Sequence, residues 1–200
     1  MKCVVASLIL AVLVMVAPSW GAVSPVEEVR KTVDEVVRLV ADKDLRKPQN
    51  DQKRRKALKS AIGQIFDHAE MAKRSMGLNW KELTPAQQKE FIDLFATLLE
   101  NSYVGKIESY NNEKIVYLKD SVDDDYAEVK SRIITAKRDE FSLDYRLMRE
   151  GERWKVYDVV IEGVSLISNY RSQFNKIIKA QGYQELVKKM KVKKDDLTSP

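Results

Sequence analysis

Apolar positions recur at helical spacing in the first half of the chain, at alternate positions through the next stretch, and at helical spacing again towards the end. Ser24-Pro25-Val26-Glu27 reads as a capping box with proline at the first helical position. Val26, Val29, Val33, Val36, Val37 and Val40 follow at intervals of three and four and predict an amphipathic helix to about Ala41. Ala57, Leu58, Ala61, Ile62, Ile65 and Phe66 mark a second helix, and the Lys53-Arg54-Arg55-Lys56 cluster before them reads as its solvated face. Asp67 and Glu70 form a cap-like pair for a short third helix that stops at Gly77. Thr84-Pro85-Ala86-Gln87 opens a fourth, whose stripe of Phe91, Leu94, Phe95, Leu98, Leu99, Ser102, Tyr103 and Ile107 carries it to about Tyr110.

The period then falls to two. Ile115 to Leu118 and Tyr126 to Thr135 predict strands separated by a turn at Asp123-Asp124-Asp125. Phe141, Leu143, Tyr145 and Leu147 alternate with Ser142, Asp144, Arg146 and Met148, and after Glu150-Gly151-Glu152 the chain resumes with Trp154, Val156, Asp158 and Val160, which makes a hairpin. Leu166, Tyr170, Phe174, Ile177 and Ile178 return to helical spacing, Gly182 interrupts, and Leu186, Val187 and Met190 precede a lysine-rich tail. Four helices, about four strands and two more helices imply an α+β fold with helices packed on an antiparallel sheet. The expected regions are 22–110, mainly helical, 114–162, the sheet, and 165–190, the last helices, all within one domain over 22–200.

The first residues have another destiny. Lys2 precedes an almost unbroken apolar run from Val4 to Ala17, and Ser19 and Gly21 supply the small side chains of a cleavage site. The run is too short for a spanning helix. Residues 1–21 therefore read as a secretory signal peptide cleaved after Gly21, and cleavage removes Cys3, the one cysteine of the chain. An exported chain without cysteine needs no disulfides.

Composition narrows the chemistry. With 200 residues, 44% hydrophobic and 32% charged, the chain can build a core, and a formal net charge of +5 spread over 35 basic and 30 acidic residues makes a mixed surface, not a nucleic-acid stripe. One cysteine and one histidine supply neither a structural zinc site nor a Cys-His nucleophile pair. Seven scattered glycines form no phosphate loop. Gly163-Val164-Ser165 lacks the second glycine of a nucleophile elbow, and Ser165 reads as a helix cap. His68 reads as a polar surface residue. Asp123 to Asp125 lacks the ligand spacing of a calcium loop. No metal, cofactor or catalytic set is predicted, and the chain does not read as an enzyme.

What remains is an apolar and aromatic surplus, comprising Trp80, Phe91, Phe95, Tyr103, Tyr110, Tyr145, Trp154, Tyr157, Tyr170 and Phe174. Such a set either fills a core or lines a ligand cavity, and spacing leaves both open.

Five stretches occur in an order that resembles the MlaC family: Phe66-Asp67-His68-Ala69-Glu70-Met71-Ala72; Met76-Gly77-Leu78-Asn79-Trp80; Leu83-Thr84-Pro85-Ala86-Gln87-Gln88 with Phe91 and Phe95; Trp154-Lys155-Val156-Tyr157-Asp158-Val159; and Glu162-Gly163-Val164-Ser165-Leu166 leading to Asn169-Tyr170-Arg171-Ser172-Gln173-Phe174. The last is the most specific. The resemblance covers about residues 61 to 190 and fades over 22–60. These are periplasmic phospholipid-binding proteins, also known as toluene-tolerance proteins. The resemblance implies a curved antiparallel sheet wrapped by helices that encloses an apolar cavity, and a shuttle that carries phospholipid between an outer-membrane lipoprotein-porin complex and an inner-membrane ABC transporter with an MCE-domain ring.

On that reading the expected cavity residues are Phe91, Phe95, Leu98, Tyr103, Tyr145, Leu147, Trp154, Val164, Leu166 and Phe174, and the expected headgroup residues at its mouth are Arg146 and Arg171. Within the third strand, Tyr145 and Leu147 are expected to approach the acyl chains while Phe141 and Leu143 lie deeper in packing. Two other readings stand beside it: a periplasmic adaptor or chaperone for partner helices, and an enzyme built around a cone-shaped cavity.

Overall fold

The computed structural model describes residues 23–198, so the expected signal peptide lies outside the described residues. Helix α1 spans Pro25–Ala41, α2 Asp51–Gly63, α3 His68–Met76 and α4 Pro85–Glu108, with short 3-10 turns before α2 and after α3. Strands β1 (Lys114–Asp123), β2 (Tyr126–Ile134), β3 (Glu140–Glu150), β4 (Arg153–Ile161) and β5 (Val164–Ser165) follow, then α5 (Leu166–Gln181) and α6 (Tyr183–Thr198). The strands form one antiparallel sheet in sequence order. Among the described residues no helix is long and apolar enough to cross a membrane.

Helix starts fall where the caps predict. Ser24 accepts from the Glu27 amide, Asp67 from the Glu70 amide and Ser165 from the Ser168 amide, while Thr84 and Gln87 form the full reciprocal box. Gly77 ends α3 at a φ of 56°, a conformation open to glycine. Among the described residues the sheet has five strands where the pattern predicts about four, the fifth being a two-residue strand with no period of its own. Glu162 and Gly163 form the tight turn between β4 and β5 with φ of 48° and 77°, as Ile161 pairs with Val164. That turn places Ser165 as the cap of α5, which explains the most specific stretch of the sequence in structural terms.

Among the described residues, three apolar clusters hold these layers together. The first joins α3, α4, α5 and α6 around Met71, Phe91, Phe95, Leu98, Ile167, Phe174 and Leu186. In the second, Val29 of α1 and Ile65 pack on Ala127, Val129, Tyr145, Leu147, Trp154, Val156 and Val159 of the sheet. The third ties Leu39 and Val40 of α1 to Leu58 and Ala61 of α2 and to Ile107 near the end of α4. Arg54, read from the sequence as part of a solvated face, instead reaches Glu108 of α4 at 3.0 Å and is largely covered.

Candidate functional site

The helical cluster and the sheet cluster are distinct apolar bodies, and Phe66 packs against both. It sits between α2 and α3 on a segment that continues the sheet. The Asp67 amide donates to the Val156 carbonyl at 2.9 Å, and the Val156 amide donates to the Ile65 carbonyl at 2.8 Å. This short parallel bridge and β5 together occupy the free edge of β4. Helix α1 lies against β1, β2 and β4, and α3 and α5 lie against β4, whereas α4 takes its main contacts from α2, α3 and α6. The two bodies carry fringes of partly buried apolar groups, Tyr103 and Leu166 on the helical side and Tyr117, Leu143 and Ile161 on the sheet side.

The sequence candidates divide between these bodies. Phe91, Phe95, Leu98 and Phe174 are buried in the helical cluster, where the Phe95 ring meets Tyr170 and Phe174 edge-on at 5.2 and 5.6 Å. Tyr103 and Leu166 lie on its fringe. Tyr145, Leu147 and Trp154 belong to the sheet cluster. Val164, at 60% exposed, lies in the outer two-residue strand and joins neither cluster. Burial along β3 runs opposite to expectation: Leu147 and Tyr145 are 0% and 8% exposed, while Phe141 and Leu143 are only partly buried. The reason is that α1 and Ile65 cover the Leu147 end of the strand.

Arg146 and Arg171 do not join either cluster; both lie towards Tyr157, Arg171 by way of Arg74. Arg146 alternates with Tyr145 and Leu147 and so points to the face away from α1. Its Nη1 reaches Asp158 Oδ2 at 3.3 Å. Arg171 of α5 donates from Nε to the Arg74 carbonyl at 2.8 Å, and the Arg74 guanidinium lies 3.9 Å from the centre of the Tyr157 ring. Arg146, Tyr126 and Tyr157 line a shallow surface pocket of about 180 Å³ there. A larger open groove of about 730 Å³ follows α1 and is lined mainly by charged residues, among them Glu28, Arg30, Asp34, Arg38 and Arg153.

The surroundings of several groups that hold the site together are not legible in the sequence. Asp158 is buried, yet it accepts from Ser165 Oγ at 2.6 Å and from the Ile167 amide at 3.0 Å, so one carboxylate fixes the start of α5 on β4. His68, expected at the surface, is half-buried and stacks on Phe66, and burial holds its imidazole below the usual range against the raising influence of Glu100 and Asp67. Tyr117 places its ring beneath the Arg30 guanidinium, 5.1 Å from the ring centre, and its hydroxyl is buried without a partner among the described residues. Burial, with the Asp34 carboxylate nearby and Arg30 opposing, pushes the Tyr117 phenol up to about 12. Burial raises Tyr145 further still. No spacing rule marks the surroundings of Asp158, His68 or Tyr117, since each depends on a neighbour distant in sequence. Asp158 does stand within the Trp154-Lys155-Val156-Tyr157-Asp158 stretch that carries the family resemblance.

The profile of the MlaC protein family matches residues 30–192. The chain is 30% identical over 120 residues to the intermembrane phospholipid transport system binding protein MlaC of Haemophilus influenzae, an alignment that covers 58% of this chain and 56% of the relative. It is 26% identical over 128 residues to toluene tolerance protein ttg2D of Pseudomonas putida, covering 63% and 60%. The chain thus spans less than two thirds of the length of the curated relatives it matches. The solved structure of the phospholipid-binding protein from Ralstonia solanacearum in complex with a phospholipid superposes with a TM-score of 0.76 at 30% identity, over 86% of this chain and 97% of that one. The profile runs from the second turn of α1 into α6 and takes in the segment before residue 61, where the motifs thin out; this chain belongs to the MlaC family.

Proposed function

We propose that this chain is a periplasmic phospholipid carrier, exported by its first 21 residues and released by cleavage after Gly21. The observation that carries this reading is the shared fold with the Ralstonia solanacearum protein, whose structure holds a phospholipid and matches this chain over nearly its whole length. The acyl chains would lie between the α1 side of the sheet and the helical cluster, parting the fringes that carry Leu143, Ile161, Tyr103 and Leu166. Exposing an acyl chain of about 14 methylenes to water costs on the order of 11 kcal/mol, at about 0.8 kcal/mol for each methylene. A carrier must offset that cost with an apolar interior, and the same cost disfavours release into water. Transfer would therefore take place while docked, on an inner-membrane ABC transporter with an MCE-domain ring at one end and an outer-membrane lipoprotein-porin complex at the other. Nothing in this role asks for a reaction at the chain.

The test is solvent extraction of the exported protein, purified without detergent, followed by lipid mass spectrometry. Diacyl phospholipid near one molecule per chain is expected, and background lipid alone would contradict the reading. Intact mass of the same sample should correspond to a chain that begins at Ala22.

A further inference from the structure

Tyr117 is the point at which the sheet cluster changes from apolar to polar. Its ring packs against the cluster, next to Tyr145, with Leu147 and Val129 fully buried beyond. On its other side the exposed α1 residue Arg30 lies over it with Asp34 nearby, and both border the groove along α1. From solvent inwards, the order is charged side chains, the Tyr117 phenol, and then an apolar interior.

Among the described residues that hydroxyl is buried and has no hydrogen-bond partner. A buried hydroxyl without a hydrogen bond is costly, and a phenylalanine would fill the same space without that cost. Because burial keeps the phenol protonated throughout the neutral range, the group is a neutral donor with nothing to donate to. A diacyl phospholipid has the same order along its length: a charged headgroup, two ester carbonyls that accept hydrogen bonds, and acyl chains. The ester carbonyls are the acceptors that lie at the apolar boundary, whereas the phosphate oxygens carry charge and are better left with water and Arg30.

We infer that the Tyr117 hydroxyl is a hydrogen-bond donor to an ester carbonyl of the bound lipid, and so sets how deep the lipid sits. This rests on the phospholipid reading above, and goes beyond it by assigning the recognised group and the residue that recognises it. The chain should therefore distinguish ester-linked from ether-linked lipids that have the same headgroup and the same chain length, since the ether lacks the carbonyl.

The experiment is a competition. Delipidated exported protein is offered an equimolar mixture of dipalmitoyl phosphatidylglycerol and its dihexadecyl ether counterpart, and the loaded ratio is read by native mass spectrometry. One net hydrogen bond corresponds to an enrichment of about 2- to 10-fold for the diester. Tyr117→Phe keeps the ring under Arg30, should keep or raise the urea midpoint, and should bring the ratio close to one by losing affinity for the diester alone. Equal loading of the two lipids by the unaltered protein overturns the inference without any variant. So does an undiminished diester preference in Tyr117→Phe. A loss in that variant that falls equally on both lipids places the hydroxyl on the phosphate instead and overturns it as well. Failure of both lipids to load contradicts the phospholipid reading itself, and is told apart from equal loading in the same spectrum.

Discussion

The buried carboxylate of Glu28 in the first turn of α1 faces the guanidinium of Arg153 at the start of β4, with Nε and Nη2 at 3.3 and 3.4 Å from its two oxygens. Glu28 is 5% exposed while the Arg153 side chain is about half exposed, so the pair fastens the beginning of α1 to the turn end of the hairpin from the solvent side. Removing Arg153 leaves a covered carboxylate without its partner. Arg153→Ala should cost about 1 to 3 kcal/mol in urea unfolding, and Glu28→Gln less, because the amide can still accept from Arg153. A midpoint unchanged in Arg153→Ala would show that α1 is held by its valines alone.

Asp158 should matter more than any exposed ion pair. It is buried and serves Ser165, the Ile167 amide and Arg146 at once, and those bonds seat α5 on the sheet. Asp158→Ala should lower stability by about 2 to 4 kcal/mol, since it strands a buried amide and a cap hydroxyl together. Asp158→Asn keeps one acceptor oxygen and should lose less. Hydrogen exchange at the first turn of α5 is the local readout, and protection there that survives Asp158→Ala would contradict the role.

Leu143 and Leu147 share a face of β3 but differ in cover. Leu147 is fully buried beneath α1, whereas Leu143 is on the partly buried fringe. Leu147→Asp would bury an unpaired carboxylate and should consume much of the roughly 5 to 15 kcal/mol that holds a domain together. Leu143→Asp should remain cooperatively folded, because water can reach its charge, while its bound lipid falls. Thermal unfolding and lipid content measured on both variants check this. A folded Leu147→Asp that still carries lipid, or an unfolded Leu143→Asp, would reverse the assignment.

Alkaline pH should destabilise the chain. Burial raises Tyr145 and Tyr117 above the ordinary value of 10.0, the latter to about 12, so the unfolded chain loses these protons first. Stability from these groups is complete below about pH 10 and falls as pH rises through 12, because over that interval the folded state binds more protons than the unfolded one. Melting temperature followed together with tyrosinate absorbance should show the fall, and Tyr145→Phe should flatten it. A melting temperature level across that range would contradict the burial of both phenols.

Much of this architecture could be read from the chain because local rules carried it. Caps at Ser24, Asp67, Thr84 and Ser165 and the alternation from Phe141 to Leu147 depend only on neighbours in sequence, and each appears in the structure. The strand β5 did not register, since two residues have no periodicity. Arg54, His68 and Asp158 were misjudged or missed because their surroundings come from α4, Phe66 and α5, and pattern along the chain says nothing about which elements meet. The same limit applies to the candidate lipid residues. Aromatic spacing collected Phe91, Phe95 and Phe174 with Tyr145 and Trp154 as one set, whereas the fold sorts them into a helical body and a sheet body joined at Phe66.

Acyl chains held between those two bodies can be located directly. The most direct measurement loads the exported protein with a phospholipid that carries a diazirine near the end of one acyl chain, irradiates it, and maps the adducts by peptide mass spectrometry. Adducts are expected on the α1 face of the sheet at Leu143, Tyr145 or Ile161 and on the helical fringe at Phe66, Tyr103 or Leu166. Adducts confined to the opposite face of the sheet, around Tyr126, Arg146 and Tyr157, would contradict that placement.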